Sequence, residues 1–177
     1  DSWDLVLLAG NAQAVSPEGQ YAVSEKILDI AEELGVKAVY MMAAYITGKY
    51  VREPAVYGTA TTPDLLEMLK GYGVLPMTGG SITGTNGLLF ALAKQRDMGG
   101  VCLLGETSGY IVDAKAAQAV LEMLTKILGI HVDMTELEKR ARETEAFIKR
   151  MEEMERRAME QVVRRPPSAE RELRYIS

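Results

Sequence analysis

Gly100-Val101-Cys102-Leu103-Leu104-Gly105-Glu106-Thr107-Ser108-Gly109-Tyr110, followed from Asp113 by a helix-patterned run to Gly129, decides the fold. From Gly100 to Gly105 the apolar run is continuous, which marks a strand buried on both faces, because a half-exposed strand would alternate. After Asp113, the residues Ala117, Val120, Leu121, Leu124, Ile127 and Leu128 recur at helical spacing and predict the buried stripe of a helix that Gly129 ends. Buried strand, loop and amphipathic helix together are the repeating unit of a mainly parallel sheet covered by helices.

The same unit recurs upstream. Leu5 to Ala9 reads as a buried strand, and Ser16-Pro17 supplies an N-cap and a first-turn proline for a helix over Tyr21 to Leu34. In that helix Val23, Ile27, Ile30, Ala31 and Leu34 form the predicted core stripe. Val36 to Ala43 is the next strand. Tyr50, Val51, Val56 and Tyr57 around Glu53-Pro54 predict a hairpin outside the main sheet over Gly48 to Ala60. Thr62-Pro63 opens a second helix through Lys70, Val74 to Met77 is a short strand, and Asn86 to Asp97 is helical. Met41, Met42, Met68 and Met123 fall in apolar stripes and read as core.

Charge divides the chain. Residues 1–132 hold 9 Lys/Arg and 14 Asp/Glu, whereas residues 133–177 hold 11 of each, so nearly half of the second part is charged. A segment so charged cannot form a core. The organisation expected is an α/β body over 1–132, a helical arm over 133–165 and a flexible tail over 166–177. Asp133 is the expected N-cap of the arm, with Glu136 as its capping-box partner. Leu137, Ala141, Thr144, Ile148, Met151, Ala158 and Val162 trace a thin stripe suited to packing on a neighbour, and Met151, Met154 and Met159 suit a docking face. Pro166-Pro167 ends the helix.

The net charge of −5 and the pI of about 5.1 argue against a dedicated nucleic-acid binder. No apolar run has the length of a transmembrane helix, so no membrane partner is expected. The one cysteine, Cys102, excludes an intramolecular disulfide and fits a reducing, cytoplasmic setting. The chain opens on Asp1 and almost at once on a strand-like run, which predicts that part of the domain precedes it.

Two segments could carry chemistry. The turn Thr78-Gly79-Gly80-Ser81-Ile82-Thr83-Gly84-Thr85-Asn86-Gly87 follows a strand and precedes a helix, where backbone N–H groups can hold an anion. It lacks the lysine of a P-loop and the spacing of a dinucleotide fingerprint. Its glycines equally suit a tight turn in close contact with a neighbouring loop or subunit. Glu106 and Thr107 stand at the end of a strand, where ligands of open α/β sheets collect. A ligand loop made of Gly79, Gly80, Ser81, Gly84, Glu106 and Thr107 is therefore one reading. The usual catalytic partners are missing: the single histidine, His131, lies far in sequence from Ser108 and Cys102, and no nucleophile elbow is present. One His and one Cys do not make a zinc site. Cys102 reads as a small core residue and His131 as a surface or satisfied one, so no catalytic residue, metal or cofactor is assigned.

Gly79 to Leu89, together with Cys102-Leu103-Leu104-Gly105-Glu106-Thr107-Ser108-Gly109-Tyr110 and the downstream Asp113, Ala116-Ala117, Val120-Leu121-Glu122 and Ile127-Leu128-Gly129, resembles the proteasome assembly chaperone 2 family. The resemblance runs from about Trp3 to Leu137. It implies an α/β fold related to nucleoside phosphorylases and certain peptidases, no enzymatic activity, and an archaeal homologue of the chaperones that help proteasome core-particle α-subunits assemble. It also implies a further strand–helix region ahead of the opening strand, for which this chain has no counterpart.

Proteasome-binding proteins of this kind often end in hydrophobic-tyrosine-any residue. Here Leu173-Arg174-Tyr175-Ile176-Ser177 places the tyrosine third from last and after an arginine. By this resemblance Leu173, Tyr175, Ile176 and Ser177 contact the core particle, and a homo-oligomer, a tetramer or pentamer, multiplies a weak contact. Two rival readings stand beside it: a phosphorylase- or hydrolase-like enzyme using the glycine-rich turn and Glu106, and a structural homo-oligomer whose arm forms a coiled coil with its own copies.

Overall fold

A computed structural model describes residues 4–164. Helix α1 (Pro17–Glu33) leads to strand β1 (Ala38–Ile46), then β2 (Val56–Ala60), α2 (Pro63–Gly71), the two-residue β3 (Leu75–Pro76), α3 (Gly84–Gln95), β4 (Gly99–Thr107), α4 (Ala114–Leu128) and α5 (Thr135–Arg164). Local chemistry sets the helix starts. Ser16 Oγ accepts the Gly19 N–H at 3.0 Å, Thr62 Oγ1 that of Leu65 at 3.4 Å and Asp113 Oδ1 that of Ala116 at 3.0 Å. Gly129, at φ 65°, closes α4 in the left-handed conformation.

The sheet order is β1-β4-β2-β3. β4 is the spine. It pairs in parallel with β1 from Ala38↔Gly99 to Ile46↔Thr107, and antiparallel with β2 from Val56↔Gly105 to Ala60↔Val101. Its alternating side chains build two cores. Cys102 and Leu104 pack with Leu28, Met41, Leu89, Leu92, Ala93 and Met98 beneath α1 and α3, while Val101 and Leu103 pack with Val56, Leu69, Val74 and Val120 beneath α2 and α4. The continuous apolar run from Val101 to Leu104 is thus explained by burial on both faces.

Several expectations need correction. Val56–Ala60 is not part of a hairpin outside the sheet; it is an interior strand that makes the sheet mixed, and β3 pairs with it in parallel. Gly58 makes this possible, since a Cβ there would lie 2.6 Å from Val74 Cγ1. Leu5 to Ala9 is not a buried strand: among the described residues it pairs with no strand, Leu5 to Leu8 are exposed, and β1 is left as a sheet edge. In α1 the buried positions are Ser24 and Leu28, flanked by Ile27 and Ala31, and Val23, Ile30 and Leu34 face solvent. Of the stripe read from spacing, Ile27 and Ala31 therefore pack on the core and the other three positions are turned away from it. In α4, Ala117 is exposed and Ala114, Ala116 and Thr125 are buried beside Val120 and Leu128. Met42 is also exposed, because it lies on the β1 edge beyond the cover of α4.

The arm is a continuous helix whose first turns pack on α4. Ala141 is buried, and Leu137, Thr144 and Ile148 are half-buried. Lys115 and Glu145 form an ion pair at 3.5 Å across this contact. Every residue from Lys149 to Glu160 is exposed, so the distal part projects clear of the body. The start differs from a capping box. Asp133 Oδ1 accepts both the Thr135 N–H at 2.9 Å and the Thr135 hydroxyl at 2.6 Å, holding the Asp133 carboxyl below its usual range. Among the described residues no helix is long and apolar enough to cross a membrane.

Candidate functional site

Three places were singled out by residue type, and the fold treats them differently. The first is the carboxyl end of β4. Thr107 is buried and its hydroxyl donates to Asp113 Oδ2 at 2.9 Å. Ser108 Oγ accepts the Tyr110 N–H at 3.4 Å. Glu106 Oε2 accepts the Ala55 N–H at 3.4 Å, and the Glu106 N–H donates to the Ala55 carbonyl at 2.9 Å. These polar groups therefore fasten the strand end to the loop before β2 and to the N-cap of α4. Gly109, at φ 80°, completes the turn where a Cβ would meet Ile46 Cγ2 at 2.7 Å.

The second is the glycine-rich turn. β3 runs antiparallel to β4, because β2 pairs antiparallel with β4 and parallel with β3. The turn thus leaves in the opposite direction to the β4 end that carries Glu106 and Thr107. Strand alternation further divides that pair, placing Glu106 with Cys102 and Leu104 and Thr107 with Val101 and Leu103. At the start of α3 the Thr85 N–H donates to Gln13 Oε1 at 3.0 Å, so the segment before α1 occupies the helix N-terminus with a neutral acceptor. Gly84, at φ 70°, lies in the left-handed region that favours glycine, and a Cβ at Gly87 would run into the Ile82 carbonyl oxygen. Gly79 has open space around it.

The third is the arm. Phe147, Met151, Met154 and Met159 are exposed on it. Leu173, Tyr175, Ile176 and Ser177 lie outside the described residues.

Cys102 and His131 are not brought together. Cys102 is fully buried in mid-strand, where burial pushes its thiol up to about 11, and His131 is exposed in the α4–α5 connection beside Asp133. Among the described residues no group of three or more His, Cys, Asp or Glu is placed to hold a metal ion.

Sequence reasoning missed a groove. A mostly apolar cavity of about 540 Å³ lies between Met42, Ala44 and Ile46 of β1, the loop after β4, Leu121 of α4 and Leu137 of α5. Spacing alone could not reveal it, since it exists only because β1 is an edge strand and α4 sits over β4 and β2.

The mixed α/β sheet with its appended helix is a fold shared with solved structures of one family. The PAC2 family matches residues 1–152, and the chain belongs to it. A protein of Methanocaldococcus jannaschii is 41% identical over 173 residues, covering 97% of this chain and 67% of its own length. The crystal structure of Pyrococcus furiosus PbaB, described as an archaeal proteasome activator, is similar at 42% identity and a TM-score of 0.72, covering 81% of this chain and 63% of that one. Pyrococcus furiosus PbaA, described as an archaeal homologue of proteasome-assembly chaperone, is similar at 28% identity and a TM-score of 0.71, covering 86% and 64%. The chain thus spans about two thirds of the length of these relatives.

Proposed function

We propose that the chain is a non-catalytic, cytoplasmic chaperone or binding factor for proteasome core-particle α-subunits. The observation that carries the reading is the PAC2 membership together with 42% identity to a protein described as a proteasome activator. The polar groups at the β4 end support it, because Glu106, Thr107 and Asp113 are engaged in holding backbone and each other. The body forms a homo-oligomer, a tetramer or pentamer, and the distal arm with Leu173, Tyr175, Ile176 and Ser177 meets the α-subunits. Leu173, Tyr175 and Ile176 offer little contact area on their own, so affinity comes from several copies acting at once.

The test is deletion of residues 166–177. Binding to the core particle should fall while folding and oligomer size remain unchanged. Undiminished binding by the truncated chain would remove the tail from the account.

A further inference from the structure

From Phe147 onward the arm carries a second apolar line, distinct from the one that packs on α4. Phe147, Met151, Met154 and Ala158 follow each other at intervals of four, three and four residues, and all are exposed. At 100° per residue this line lies about a quarter turn around the helix from the Leu137, Ala141 and Ile148 line. Phe147, Met151 and Met154 are 55%, 48% and 65% exposed, which for large apolar side chains on one line of a projecting helix marks a contact face. The 4-3-4 interval is that of the a and d positions of a two-stranded coiled coil, with Met151 and Ala158 at a and Phe147 and Met154 at d.

The flanks of this line say what covers it. Arg150 and Arg157 fall on one side, at the g positions, and Glu155 on the other, at an e position. In a parallel, in-register pair, each g residue meets the e residue five places further along the other helix. Arg150 therefore meets Glu155 of a second copy, and the two-fold axis makes the contact twice. An antiparallel pair would instead set the arginine-bearing flank against itself. We infer that the distal arms of two copies of this chain pair as a parallel, in-register coiled coil through Phe147, Met151, Met154 and Ala158, with Arg150 and Glu155 fixing the direction.

The inference rests on the proposed function only for its consequence. Parallel pairing brings the two Arg164 ends together, so the tails that follow begin from one point and reach one α-subunit ring as a pair. The apolar line is then used between copies, and docking falls to the tail and the outer charged face of the arm.

Engineered cysteines test the pairing without any partner, because the only native thiol, Cys102, is buried and protonated. Under mild oxidation M154C should give a disulfide-linked dimer. R156C, on the opposite side of the helix, should give little. Equal yields from the two positions, or none from M154C in a chain whose circular dichroism is unchanged, would overturn the pairing. Direction is tested by charge: R150E alone and E155R alone should each weaken arm association by roughly tenfold, as two attractive contacts become repulsive. An equimolar mixture of the two, each carrying M154C, should cross-link as mixed dimers, since opposite charges then face each other at both contacts. No preference for mixed dimers would exclude the parallel register. α-Subunit binding by the same variants is a separate readout, so a failure of arm pairing is distinguishable from a failure of the proposed function.

Discussion

Thr107 Oγ1 donates to one oxygen of the Asp113 carboxylate at 2.9 Å, while the other oxygen accepts the Ala116 N–H at 3.0 Å. One side chain thereby joins the end of the central strand to the start of α4 and closes one side of the apolar groove. Asp113→Ala removes a helix cap and leaves a buried hydroxyl without its acceptor. A loss of about 1–3 kcal/mol is expected in denaturant unfolding, with the slope unchanged. Asp113→Asn keeps the cap and should recover most of it.

Gly105 and Gly79 separate packing from conformational freedom. A Cβ at Gly105 would stand 2.7 Å from the Ala116 carbonyl oxygen and 2.9 Å from Val120 Cγ2, so Gly105→Ala forces α4 away from the sheet. It should destabilise by about 1–3 kcal/mol. Gly79→Ala meets open space and should leave stability within about 0.5 kcal/mol. Parallel thermal melts of the two variants check both statements.

Burial raises the Cys102 thiol from 9.0 to about 11. The folded chain holds this proton where the unfolded chain has released it. The contribution is therefore complete below pH 9 and declines as pH rises toward 11. Tyr40, raised from 10.0 mainly by its own burial, adds a decline in the same direction at the upper end. Unfolding free energies measured across this range should fall with pH, and Cys102→Ala should reduce the slope. A thiol reagent at neutral pH should label Cys102 only after denaturation.

Arg96, just past α3, reaches Glu25, Asp29 and Glu32 of α1, the last two at 2.9 and 3.3 Å. Its hydrogen bond to Asp29 leads in holding the guanidinium charged. Arg96→Ala leaves three carboxylates without their common cation on one helix face. The melting midpoint should drop, and the gap to the parent chain should narrow between about 0.01 M and about 1 M salt, as the screening length shortens from about 30 Å to about 3 Å.

How much of this was legible depends on the range of the interaction. β4, α4 and the caps at Ser16 and Thr62 follow from local chemistry, since the residues that decide them are neighbours in sequence. Lateral placement does not. Val56–Ala60 looks like hairpin material until Gly58 is seen to admit Val74, a contact set by α2 and β3. The α1 stripe misleads because Val23, Ile30 and Leu34 have core spacing but face solvent, whereas Ser24, a polar residue, is wholly buried. For the candidate ligand loop, strand direction was the missing fact: Gly79–Gly84 follows β3 and Glu106–Thr107 ends β4, but the two strands run oppositely. The arm was readable as a charged helix, but not which of its apolar lines α4 takes, because that contact joins side chains of two different helices.

Sedimentation of the full chain with isolated proteasome α-subunits, in the absence of β-subunits, tests the central claim most directly. The account predicts a complex larger than either component, containing both, that is lost when residues 133–177 are removed although the body stays folded. Separate sedimentation of the two proteins at concentrations where each is intact would contradict it.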